Sequence, residues 1–198
     1  MHYPNNIKKD FITNELSQIH TSHSNRGMNL ENALNLSNQY YLDKDIALIY
    51  KKPTPIGVVD VSYNNHKKTI EKAYFKEQST LDYNGLYRGK YIEFDAKETL
   101  NKTSFPLSNI HQHQTNQIRN VIKHGGIVFL IIRMNNINYL LTGEDYIDYI
   151  DNETRKSISY KYIQAKGYII KEGYQPQLDY LKIIDNVYFE RRKENGDN

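Results

Sequence analysis

The stretch TLDYNGLYRGKYIEFDAKET, Thr80 to Thr99, decides the fold. From Tyr91 onward its residues alternate: Ile92, Phe94 and Ala96 face one way, Tyr91, Glu93, Asp95 and Lys97 the other. Period two marks a β-strand, here one that buries one side and presents charge on the other. Asn84-Gly85 and Arg88-Gly89 read as turn signals, so the segment carrying Asp82 can return beside that strand. Upstream, Leu30, Ala33, Leu34, Ser37 and Tyr41 recur at helical spacing behind a cap at Ser24 or Asn25. A short strand, Ile46 to Tyr50, ends before Pro53 and Pro55. Residues 56–63 then alternate again, Asn64–Lys68 reads as a basic hairpin tip, and a strand returns near Ala73–Lys76. Downstream come a helix over 111–123, a buried run at 127–132, a turn at Asn135-Asn136, a strand near Tyr139–Leu141 and a helix from Thr142 to Asn152. Residues 153–173 divide between strand and loop, and Pro176 is expected to open a last helix through Leu178, Leu181, Ile184 and Tyr188. Helices and strands in this order predict an α/β fold, a central mixed sheet flanked by helices.

The chain has 198 residues and a formal net charge of +3, which suits one domain and names no partner by itself. Cysteine is absent, which excludes disulfides and thiolate metal sites and leaves oxygen or imidazole for any metal. The longest apolar run, Ile127 to Ile132, is far short of the roughly 20 residues that span a bilayer, so a cytoplasmic protein without a membrane partner is expected. Residues 1–22 are polar and aperiodic and read as a mobile tail; 23–198 reads as one domain with a hairpin inserted at about 54–79. No carboxylate occurs between Thr99 and Gly143, while Lys102, Arg119, Lys123 and Arg133 do. Over 44–79, lysines 44, 51, 52, 67, 68, 72 and 76 outnumber the acids. Local fields of this kind attract polyanions, so phosphate is the expected partner.

The chemistry sits on Asp82, Asp95 and Lys97. Positions 95 and 97 share a strand face, and two converging carboxylates make a hard-oxygen site suited to Mg²⁺ or Mn²⁺. The lysine would offset phosphate charge. A lone acid–base group yields only about 10²–10⁴-fold, too little for phosphodiester hydrolysis, so a divalent metal is the better engine. Glu93 shares the face and rivals Asp95 as ligand. His111 and His113 lack a third ligand and read as an exposed or DNA-facing pair.

SNRGMNLE (24–31), KKPTPI (51–56), AYFKEQSTLDYNGLYRGKYIEFDAKET (73–99), NKTSFPL (101–107), HQHQ (111–114) and LDYLKI (178–183) together resemble the RecU family of Holliday junction resolvases, within the PD-(D/E)xK nuclease superfamily. Leu81 stands where the superfamily has proline, and Asp95 where the family more often has Glu. The resemblance implies a restriction-endonuclease-like core with a protruding β-hairpin stalk that enters the junction. It implies Mg²⁺ held by Thr80, Asp82, Asp95 and Gln114, with Lys97 stabilising the transition state and Glu31 backing the ligands. Arg26, His66, Lys67, Lys68, Lys76 and Lys102 would contact DNA. It further implies paired nicking by a homodimer in recombination and repair, alongside a recombinase and a branch-migration helicase. Two other readings stay open: a flap or duplex nuclease of the same superfamily, and a non-cutting DNA-binding or strand-annealing modulator of the recombinase.

Overall fold

The computed structural model describes residues 29–64, 67–76 and 80–190. In chain order its elements are α1 (Leu30–Asp43), β1 (Leu48–Lys51), β2 (Ile56–Asn64), β3 (Lys67–Phe75), β4 (Tyr83–Tyr87), β5 (Lys90–Thr99), β6 (Ser104–Pro106), α2 (Gln112–Lys123), β7 (Ile127–Met134), β8 (Ile137–Thr142), α3 (Gly143–Asn152), β9 (Ser157–Ser159), α4 (Tyr160–Lys166), β10 (Tyr168–Ile170) and α5 (Tyr180–Ile184), which runs on into a π-helical turn, Asp185–Glu190. Six strands form one sheet in the order β1-β4-β5-β7-β8-β10. Only β5 and β7 pair in parallel, so the sheet is mixed as expected. Among the described residues no helix is long and apolar enough to cross a membrane.

Strand β7 is buried on both faces and so separates two cores. Ile127, Phe129 and Ile131 pack with Leu30, Leu34 and Tyr41 of α1 and with Tyr180, Leu181 and Ile184 of α5. Val128, Leu130 and Ile132 pack with Ile118 and Val121 of α2 and Tyr146 and Tyr149 of α3. Across the first core, Tyr83, Phe94 and Phe129 stack in series with ring centroids 4.7 Å apart at each step.

The structure corrects several readings. Asn84-Gly85 is no turn: both residues lie inside β4, where Gly85 pairs with Ile49 of β1. A Cβ at Gly85 would lie 1.9 Å from the Leu48 carbonyl oxygen, so this glycine permits close backbone approach rather than reversal. The turn falls at Arg88-Gly89, both at positive φ. Ser24 and Asn25 lie outside the described residues, and α1 is capped by Asn29, whose side chain accepts from the Asn32 N–H. The last helix starts at Tyr180 rather than Pro176, because Leu178 is drawn into a bridge with Glu172. Residues 157–170, undecided from sequence, make β9, α4 and β10.

Strands β2 and β3 form their own two-stranded ribbon, with every residue of β3 exposed. Its register skips Val59 on one strand and Glu71 on the other, two bulges that offset each other. Successive rows of a ladder alternate faces, so the rows Ile56/Phe75, Val58/Ala73, Val61/Ile70 and Tyr63/Lys68 all share one face. The opposite face carries Asp60/Lys72, Ser62/Thr69 and Lys67.

Gly85→Ala is expected to lower stability by roughly 1–3 kcal/mol, since the new methyl must part β1 from β4. Urea unfolding of the two proteins measures this.

Candidate active site

Register places the acids. Tyr83 pairs with Phe94, so Asp82, one residue earlier, stands across from Asp95 on the next row. The two carboxyls interact, the Asp82 charge helping to raise the Asp95 carboxyl above its ordinary range. Lys97 Nζ is 3.2 Å from Asp95 Oδ1. The contact is off hydrogen-bonding angle, so that buried oxygen has no hydrogen-bond partner.

The charged face of β5 is not presented to solvent as the alternation implied. Parallel pairing sets Glu93, Asp95 and Lys97 beside Val128, Leu130 and Ile132, the rows that form the second core, and Glu93 and Asp95 are each 0% exposed. Gln114 and Gln117, one turn apart on α2, bond to these carboxylates. Gln114 Nε2 donates to Asp95 Oδ2, and Gln117 Nε2 donates to Glu93 Oε2 at 2.7 Å. The amide orientation of Gln114 is fixed chemically: its Oε1 accepts from the His111 N–H at 3.0 Å, a group that can only donate. Here Gln114 therefore orients Asp95 as a donor, with its oxygen engaged at the start of the helix.

Glu93, the rival of Asp95, is tied up elsewhere. Its Oε1 receives Lys52 Nζ and, at 3.2 Å, the Leu81 N–H. Lys52 Nζ also donates to Thr80 Oγ1 at 2.9 Å. Sequence reasoning passed over Lys52 and Gln117. The spacing of Gln117 from Gln114 was visible, but Lys52 reaches its partners only through tertiary folding. Glu31 pairs with Lys51 at 2.5 Å and lines a cleft with Asp82, Ala96 and Glu98. Burial, then the charges of Glu31, Asp82 and Asp95, push the Tyr83 hydroxyl far above its usual range.

Burial pushes the Asp95 carboxyl up to about 7, against the pull of Lys97 and with the Asp82 charge adding to the rise. Such a site favours added positive charge. The buried, unbonded Asp95 Oδ1 and a half-buried carboxylate opposite fit Mg²⁺, which binds through one or two carboxylates and keeps waters. Among the described residues no group of three carboxylates or imidazoles gathers to hold a metal. A transition-metal site at His111 and His113 gains no third ligand; their rings stack 5.4 Å apart.

Of the expected DNA contacts, Arg26 and His66 lie outside the described residues. Lys67 and Lys68 stand at the exposed outer end of the ribbon, with Lys68 Nζ 5.6 Å from the centre of the Tyr63 ring. Lys76 follows the ribbon, its N–H bonded to the Pro55 carbonyl, and Lys102 is exposed on the loop after β5. The acid-free segment is less basic than it reads, because Arg119 forks onto Asp151 and Arg133 pairs with Glu98.

The family model described as Recombination protein U matches residues 25–186. The chain belongs to the RecU family. Proteins named Holliday junction resolvase RecU are similar over most of its length. That of Geobacillus kaustophilus is 49% identical over 175 residues, 85% of this chain and 88% of the relative. That of Geobacillus sp. strain WCH70 is 48% identical over 174 residues, 85% and 87%. That of Bacillus mycoides is 45% identical over 199 residues, 94% and 98%. The RecU match spans β2, β3 and every strand of the central sheet.

A raised carboxyl pKa favours the protonated fold, so this group's stabilisation is full below its ordinary value of 3.8 and is lost as pH rises through about 7. Melting in EDTA is expected to show Asp95→Asn gaining on the parent from pH 5 to pH 8.

Proposed function

We propose that this chain is a Mg²⁺-dependent endonuclease that resolves Holliday junctions by nicking paired strands during homologous recombination and repair. One observation carries the chemistry: Asp82, just before β4, meets Asp95 of the adjacent strand beside an ammonium, at the mouth of a buried polar layer. The names of its relatives supply the junction as substrate.

Asp82 and Asp95 would hold the cation, with Thr80 on the adjoining segment. When bound, Mg²⁺ supplies Lewis acidity and an activated water for phosphodiester hydrolysis. Asp95 must give up its proton to take part. Lys97, on the same strand face as Asp95, offsets the negative charge that grows on phosphorus in the transition state. Gln114 keeps the Asp95 carboxylate from rotating away. The ribbon's Lys67 and Lys68, with Lys76 and Lys102, make sequence-blind phosphate contacts. A four-way junction is two-fold symmetric, so two copies related by a two-fold axis would place one centre at each exchanging strand. The protein would act in the cytoplasm, beside a recombinase and a branch-migration helicase.

A synthetic four-way junction, a flap and a linear duplex, incubated with and without Mg²⁺, test this reading. The junction should be nicked in symmetry-related strands only with metal, and Asp82→Ala should bind it without cutting. Lys97→Met should lose about 10²–10³ in rate with binding kept. Equal cutting of flap and duplex, or nicking by Asp82→Ala, would sink the proposal.

Replacing Lys67 and Lys68 by alanine should weaken binding across junction sequences. It should also reduce the slope of log affinity against log salt by about one for each phosphate no longer neutralised. Titrations at several salt concentrations measure that slope.

A further inference from the structure

Asp82 lies one residue before β4, so beyond the end of the β4–β5 ladder its place opposite Asp95 is held by one backbone bond and by side chains. Three bonds reach the segment Thr80–Asp82 from Lys52 and Glu93. Lys52 Nζ donates to Thr80 Oγ1, Glu93 Oε1 accepts from the Leu81 N–H, and the Lys52 N–H donates to the Asp82 carbonyl at 2.7 Å. Lys52 and Glu93 are themselves ion-paired, with the Glu93 side chain fully shielded, and Gln117 holds the other Glu93 oxygen. The arrangement clamps both sides of Asp82: the residues before it by hydroxyl and amide, its own carbonyl by the backbone of Lys52. Glu93 and Asp95 share one face of β5, so the clamp and the metal-binding acid are carried on the same rigid strand.

Resting on the endonuclease reading, we propose that Lys52 and Glu93 are positioning residues: their buried ion pair sets the separation of Asp82 from Asp95 and so the affinity for the catalytic cation. Neither touches the scissile phosphate. The pair acts through the 80–82 segment, and Gln117 acts through Glu93. Supporting groups of this kind change metal affinity or activity by about 10–100-fold.

The test replaces both partners at once, Lys52→Met with Glu93→Gln, so that no lone charge is left buried. Two quantities are read: the Mg²⁺ concentration for half-maximal nicking of a synthetic junction, and the shift in melting temperature of DNA-free protein titrated with Mn²⁺. The double variant should melt cooperatively and bind the junction in EDTA like the parent, yet require about 10–100-fold more Mg²⁺ and show a smaller Mn²⁺ shift. Lys52→Arg, which keeps charge and donors, should recover most of both. Gln117→Leu loosens Glu93 without emptying the pair and should move both readouts the same way by a smaller factor, which keeps the proposal testable if the double variant fails to fold. An unchanged metal requirement in a folded variant overturns the proposal, as does junction binding in EDTA that falls in step with nicking. Should the parent itself nick no junction, the endonuclease reading falls, and the Mn²⁺ shift still decides the role of Lys52 and Glu93.

Discussion

The pairing of β4 with β5 is the constraint from which the candidate site follows. Tyr83 opposite Phe94 puts their rings into the first core, where they stack on Phe129 and face α1 and α5. Because strand side chains alternate, the same register turns Asp82 and Asp95 to the other side, under α2. A slip by one residue would drive the aspartates into the aromatic stack and the rings into the polar layer. Burial of the aromatics therefore fixes the geometry of the acids, and Gly85 lets β1 close against β4 so that Lys52, just beyond β1, can reach the same layer.

That layer is costly and is placed where it can be satisfied. Two carboxylates of β5 lie beside Val128 and Leu130 of β7, and buried charge is tolerated only when paired or hydrogen-bonded. Helix α2 meets the need with Gln114 and Gln117 on the turn where a core helix would carry apolar residues, and with Ile118 and Val121 on the next. Glu93 is fully engaged by Lys52, Leu81 and Gln117, whereas Asp95 keeps one oxygen without a hydrogen bond. Two acids of the same strand face are thus bonded differently, Glu93 at both oxygens and Asp95 at one.

Much of this was legible before any coordinates. Alternation over Tyr91–Lys97, helical spacing through Leu30 to Tyr41 and the apolar run at Ile127 named the elements of the sheet and its first layer, and the mixed α/β fold followed. The convergence of Asp82 with Asp95 was read correctly for a partly wrong reason. A reversal at Asn84-Gly85 was invoked, while the strand continues through both and turns at Arg88-Gly89. A glycine needed for close backbone approach and one needed for positive φ look alike in a sequence. The burial of the charged strand face was also missed, because its roof is supplied by a helix that begins well beyond the strand's end. Lys52 was invisible for the same reason: no local spacing links a lysine to a threonine and a glutamate so far along the chain.

The ribbon of β2 and β3 adds a rule about its own direction. Val59 and Glu71 are supernumerary on opposite strands, and the second bulge restores the register that the first displaces by one residue. Loss of one residue alone would leave the rows and their faces as they are but take the bend and added twist of that bulge out of one strand, re-aiming Tyr63, Lys67 and Lys68 at the outer end. The paired bulges therefore set the direction in which the outer end points, not the side on which its lysines stand.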